Sequence, residues 1–302
     1  MKIVRPITIN NARLLSSNVP ENDYPAWDGG ETVGLGARRI YVVGEHHWVV
    51  ESLQAGNTGH TPTGDNTNDE WWLLIGNTNR WRMFDESISS ATSNPERIIV
   101  ELENLGPMDS IVLLNVDAAT VRIEIVDAVA GVVFDETYTM ISNRGVTDWF
   151  TFFYEPYEAK TVLLNTSLPK YINAITKITI SKPDAVASVG ACIVGLSKTM
   201  GDTRLGGKVG IQDYSVKQRD DFGNFTILER AFSNYATLDV WVESGQADKI
   251  MRILTGYRAT PVVYVGDETR EATFIYGYYK DFYETIEYDK YSLYSLELES
   301  LT

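Results

Sequence analysis

The segment Val121-Arg122-Ile123-Glu124-Ile125 alternates strictly between apolar and polar side chains. Successive side chains on a strand point to opposite faces, so this pattern suits a half-buried β-strand and no helix. The stretch Asp127 to Gly131 turns and Val132-Val133-Phe134 returns, which predicts a hairpin. Ile178-Thr179-Ile180 alternates again. Lys182-Pro183-Asp184 then reads as a turn, and Gly190 to Leu196 as the next strand. A further hairpin is expected around Asp221-Phe222-Gly223-Asn224, between Tyr214-Ser215-Val216 and Phe225-Thr226-Ile227-Leu228, with Gly223 supplying a positive φ. Helical spacing stands out in one place. Ser244 is a candidate N-cap, Ile250, Met251 and Leu254 share a face, and Gly256 is a candidate stop. One short helix in 302 residues predicts a mainly β chain.

A chain of this length is about twice a typical domain, so several units are expected. Residues 1–20 read as an N-terminal strand or arm placed to pair with the next β-domain. Residues 21–80 form a tryptophan-rich module. Five of the seven tryptophans (Trp27, Trp48, Trp71, Trp72 and Trp81) and all three histidines (His46, His47 and His60) fall at or before position 81. The Gly-, Asn-, Thr- and Asp-rich stretch from Gly56 to Asp69 reads as a loop. Residues 81–200 are expected to form a β-sandwich, and residues 201–302, after a glycine-rich connector, a β-rich assembly domain. That last part is dense in tyrosine: Tyr264, Tyr276, Tyr278, Tyr279, Tyr283, Tyr288, Tyr291 and Tyr294. Two readings of these side chains stay open, partner-facing sheets or caps on a small core.

The net charge is −15. Such a surface repels phosphate backbones and anionic lipid, so neither nucleic-acid binding nor membrane insertion is expected. A single cysteine, Cys192, sits in the apolar run Ala191-Cys192-Ile193-Val194 and admits no disulfide within the chain. No signal-peptide core and no run of roughly 20 apolar residues is visible, so a soluble chain made in the cytoplasm is expected.

Across residues 24–72 the spacing resembles the small chitin- and cellulose-binding modules of bacterial chitinases. The matching positions are Trp27, Ile40-Tyr41-Val42-Val43-Gly44, Trp48-Val49-Val50-Glu51-Ser52, Asn57, Pro62 and Trp71-Trp72. Gly36-Ala37-Arg38-Arg39 departs from the Gly-Asp turn frequent in that family. The resemblance implies sugar-stacking roles for Tyr41, Trp48, Trp71 and Trp72, with Trp27 in the core. The bare residues equally allow the tryptophans simply to hold a small module together. Residues 81–200 are similar in strand rhythm to a galactose-binding-like jelly roll. Over nearly its full length the chain resembles tail or baseplate-associated proteins of tailed bacteriophages. That likeness lies in Asn77-Thr78-Asn79-Arg80-Trp81-Arg82-Met83-Phe84-Asp85, in Val209-Gly210-Ile211-Gln212-Asp213-Tyr214-Ser215, in Asp221-Phe222-Gly223-Asn224 and in Tyr276-Gly277-Tyr278-Tyr279-Lys280-Asp281-Phe282. It implies a virion tail protein that contacts other tail proteins and copies of itself, as a trimer or another multiple set by the tail, and reaches host-surface polysaccharide.

Catalytic motifs are scarce. There is no phosphate-binding loop and no Gly-x-Ser-x-Gly elbow. Gly34-Leu35-Gly36-Ala37-Arg38-Arg39 begins like a dinucleotide fingerprint but lacks its third glycine. His46 and His47 are adjacent on a strand and point to opposite faces, which argues against one shared metal ion with His60. The loop Asp65-Asn66-Thr67-Asn68-Asp69-Glu70 lacks the glycine and distal glutamate of a calcium hand. Carboxylate pairs such as Asp220-Asp221 and Glu101-Glu103 leave a polysaccharide hydrolase as the enzyme alternative. The expectation is a non-catalytic structural protein with no metal and no cofactor. A dedicated glycan receptor is its nearest rival.

Overall fold

The computed structural model describes residues 1–67, 69–142, 148–154, 158–219, 222–286 and 289–301. The chain is mainly β, built from antiparallel sheets. The largest sheet joins fourteen strands into one hydrogen-bonded surface. Its spine is the 25-residue strand Ile175–Thr199. The first part of this strand pairs with Thr92–Glu103 on one edge and with Thr120–Asp127 on the other. Its middle pairs with Ser110–Asp117, and Gly195 to Thr199 pair with the N-terminal strand Lys2–Pro6.

Lys182-Pro183-Asp184 therefore does not separate two strands. The register slips between Ser181 and Val186, and Asp184 adopts φ 59°. A bulge absorbs extra residues and bends a strand without ending it, and it tolerates a proline that can donate no ladder bond. A second adjustment lies further on. Val189 and Val116 face the first core, but so do Cys192 and Leu113, so the inward parity inverts on both paired strands between them. Asn115 takes φ 51° there, opposite Gly190. A Cβ at Gly190 would lie 2.6 Å from the Ile88 carbonyl oxygen, so only glycine fits. These bends let one strand contribute Ile178, Ile180, Val189 and Val194 to a single core with Ile98, Val100, Ile111, Val121 and Ile123. The expected hairpin is present as Thr120–Asp127 paired with Gly131–Thr139.

Lys2–Pro6 lies between the two halves of the molecule. Its second edge pairs with Val262–Val265, and the sheet continues through Phe274–Thr285, Tyr291–Ser300 and Phe232–Glu243. Ile3 faces the C-terminal core, whereas Val4 faces a third cluster with Val112, Ile193, Val263 and Tyr276. The N-terminal strand is thus the seam of a continuous sheet.

The helix Ser244–Gly256 packs on the C-terminal sheet through Ala247, Ile250 and Leu254. Two details differ from the sequence reading. Glu243, not Ser244, occupies the N-cap position, and no side chain bonds the free amides. Met251 is exposed, because it lies about 100° round the helix from Ile250. A second helix, Trp149–Tyr154, was not expected; its six residues carry no 3.6-residue apolar/polar pattern. The tyrosines divide between core and surface. Tyr264, Tyr276 and Tyr294 are buried, Tyr279 is half-buried against the C-terminal core, and Tyr278, Tyr283 and Tyr291 are exposed; Tyr288 lies outside the described residues.

Candidate functional site

The tryptophan-rich module is a three-stranded antiparallel sheet of Arg38–Val43, His46–Ser52 and Trp72–Asn77. Alternation gives it two faces. One carries Tyr41, His46, Trp48 and Val50; the other carries Ile40, His47 and Val49.

The second face is anchored to the rest of the chain. His47 Nδ1 lies 2.7 Å from the Glu21 carboxylate and its Nε2 lies 2.8 Å from Asn11 Oδ1. Its ring stacks on Trp81 at 4.5 Å. Glu21 also accepts from Thr78 Oγ1, and Asp23 accepts from the Asn79 backbone N–H. His47 is thus engaged in joining the module to the sandwich. The other two histidines also stack on tryptophan, His46 on Trp48 at 4.6 Å and His60 on Trp71 at 3.7 Å. Among the described residues no group of three His, Cys, Asp or Glu is placed to hold a metal ion.

The first face builds the module's core from Val33, Val50 and Trp72, ringed by Trp27, Tyr41, Trp48, Trp71 and Leu74. This separates the four candidate sugar-stacking residues. Trp72 is 2% exposed, and its Nε1 donates to the His60 carbonyl, so its ring offers no platform. Trp71 is half-buried with one face covered by His60. Tyr41 and Trp48 are half-buried neighbours with centroids 6.4 Å apart. Trp27 stands edge-on to Tyr41 at 5.3 Å and is half-buried rather than fully inside.

The loop before Trp71 is tied down by Asp69. Burial works against its charge, but the backbone N–H groups of Thr63, Trp72 and Trp71 outweigh it and hold its pKa below the usual carboxylate value. Asp69 is therefore committed to shaping the loop, and Asn68 lies outside the described residues. Gly64 lies against the Trp48 ring. A Cβ there would fall 2.3 Å from Trp48 Cη2, so the loop approaches this ring as only glycine allows.

Trp48 forms one wall of an open groove of about 490 Å³ at the junction between the module and the rest of the chain. Leu74, Asn77, Asp85, Glu86, Ser87 and Leu301 line it too. Burial is the main reason that the Asp85 carboxyl sits above its ordinary pKa. Both its oxygens are used within the loop, by the Ser87 N–H and by Ser90 Oγ. Glu86 is exposed and, among the described residues, makes no hydrogen bond or ion pair. An aromatic ring that shares a groove with a free carboxylate and an amide suits a ligand with an apolar C–H face and several hydroxyls. Sequence reading singled out Trp48 here but missed Asn77, Glu86, Ser87 and Leu301. They come from distant stretches of chain, and no local spacing joins them to Trp48.

A second feature lies in the C-terminal part. Strand Lys208–Asp213 pairs through one edge with Phe232–Glu243. Beyond it, Val216–Arg219 and Phe225–Leu228 form a separate two-stranded hairpin. Gly223 has φ 85°, while Asp220 and Asp221 lie outside the described residues. This arm exposes Ile211, Phe225, Ile227, Leu228 and Phe232, and Phe222 is 92% exposed.

Comparison with family models, with curated proteins and with solved structures finds no match.

Proposed function

We propose that this chain is a non-catalytic assembly protein of a bacteriophage-type tail tip or baseplate, located in the virion. In this reading the C-terminal arm docks on neighbouring tail subunits, including copies of the chain, and the Trp48 groove faces host-envelope glycan. The arm is the observation that carries the reading. An isolated two-stranded hairpin is marginally stable in water, and contiguous exposed apolar surface marks an interaction site. Phe225 and Ile227 meet both conditions on one face of the hairpin, and Leu228 is exposed on the other. The test is the double variant Phe225→Asp/Ile227→Asp in the full chain. Light scattering after size exclusion should show an oligomer for the parent and a monomer for the variant. An unchanged mass rejects the arm as an assembly surface, and a particle map with the chain away from the tail rejects the location.

A dedicated glycan receptor is the second reading, favoured by the Trp48 groove. Retention on a host-glycan array should be lost in Trp48→Ala while the module stays folded. Release of reducing sugar from envelope polysaccharide would overturn the non-catalytic assignment.

A further inference from the structure

A groove of about 700 Å³ lies where the helix Ser244–Gly256 meets the seam of the large sheet. Its walls carry four cationic side chains and no carboxylate. Arg5 comes from the N-terminal strand and Lys198 from the end of the long strand. They lie on one sheet face as diagonal neighbours, because Arg5 pairs with Leu196 and Ile3 with Lys198. Lys249 and Arg252 are three residues apart on the helix, which places them on one face of it. The floor is Tyr257, buried, with Arg5 Cζ 5.7 Å and Lys198 Nζ 5.5 Å from its ring centroid.

This concentration of charge is out of keeping with its surroundings. The chain has 41 acidic against 26 basic residues, so the surface outside the groove is more acidic than the whole. Several cations elsewhere are matched, while others, Arg13 and Arg97 among them, have no ion-pair partner among the described residues. Lys2, Arg39, Arg122, Lys177, Lys182 and Lys280 each lie within 3.1 Å of a carboxylate oxygen. Among the described residues none of Arg5, Lys198, Lys249 and Arg252 does, and Arg252 Nε turns to the Asp248 backbone carbonyl. The helix macrodipole does not account for them either, since no basic residue falls in its last turn.

We infer that this groove receives an acidic surface of a second copy of the chain. Charge complementarity favours that occupant: the groove is the basic exception on a molecule whose remaining surface supplies carboxylates in excess. A basic patch meeting a different, acidic patch is a heterologous contact, and repeated heterologous contacts close into rings or extend into filaments. The inference rests on the reading that copies of this chain assemble, and it adds a second, electrostatic contact to the apolar arm.

Sedimentation velocity of the full chain at 150 mM salt tests it, with circular dichroism verifying the fold of every variant. Lys249→Glu/Arg252→Glu keeps helix-compatible residues at exposed positions. Arg13→Glu/Arg97→Glu changes the net charge equally, on the sandwich. The groove variant should associate about tenfold or more weakly than the parent, as expected for like charges brought together at an interface. The sandwich variant should stay within about twofold of the parent, since charge removed far from a contact is largely screened. Arg252→Gln, without charge reversal, should fall between them. Equal weakening by the groove and sandwich pairs overturns the inference, because net charge alone then explains the effect. Loss of association in Phe225→Asp/Ile227→Asp with none in the groove variant also overturns it, and leaves the arm reading standing. A parent that is monomeric throughout defeats both. Inorganic polyphosphate binding to a monomeric parent, lost in the groove variant, identifies the occupant as a free polyanion and not a second copy.

Discussion

Replacing Ile3 by alanine tests whether one short strand couples the two halves of the molecule. Ile3 is 1% exposed and belongs to the C-terminal core with Leu238, Ile250, Tyr264 and Leu296. The substitution removes three carbons, worth about 2.4 kcal/mol at roughly 0.8 kcal/mol per buried CH₂. Its strand is pinned on both edges, so the surroundings relax little and a cavity term adds to the transfer term. The expected loss is about 3–4 kcal/mol, within the range for large-to-small changes at buried aliphatic sites. Urea unfolding followed by far-ultraviolet circular dichroism measures the total. Hydrogen exchange locates it: amides of Val262–Val265 and of Gly195 to Thr199 should lose protection together, since both pair with Lys2–Pro6. A loss under about 1 kcal/mol, or weakened protection on one side only, refutes the strand's role as a seam.

Three further outcomes follow from the same geometry. Trp72→Ala should unfold the module, costing about 3–5 kcal/mol as for other buried aromatics, whereas Trp48→Ala should leave its protease resistance largely intact. The Glu299 carboxylate accepts from Lys280, Tyr214 and Tyr278, and the Lys280 contact leads in holding its pKa below the ordinary value. A depressed carboxylate pKa stabilises the fold above the unfolded value of about 4.3, and that contribution is lost as pH falls through the lower folded value. The acid limb of thermal stability should therefore be shallower in Glu299→Gln than in the parent. Cys192 is buried and its thiol is pushed up to about 12 by desolvation. It should resist Ellman's reagent at pH 8 in the native protein and react fully in urea.

The sequence by itself determined the β character, the hairpin around Asp127 to Gly131 and the helix ending at Gly256. Alternation over two residues and spacing over three or four are local signals, set by where each Cβ points. It also located the tryptophan-rich module, since those side chains lie together in the chain. Sequence did not show that Trp72 is core while Trp48 lines a groove: the two are chemically alike, and only tertiary packing distinguishes them. Lys182-Pro183-Asp184 carries the composition of a turn, yet pairing with Thr92–Glu103 on both sides of the bulge makes it a bend within one strand. The remaining features belong to tertiary structure alone. Lys2–Pro6 finds its partners nearly 200 and 260 residues away. The basic groove joins Arg5, Lys198, Lys249 and Arg252, which no spacing in the chain relates. Long-range strand pairing, which is specified by the sum of many weak contacts, decided which surfaces this acidic β-protein presents.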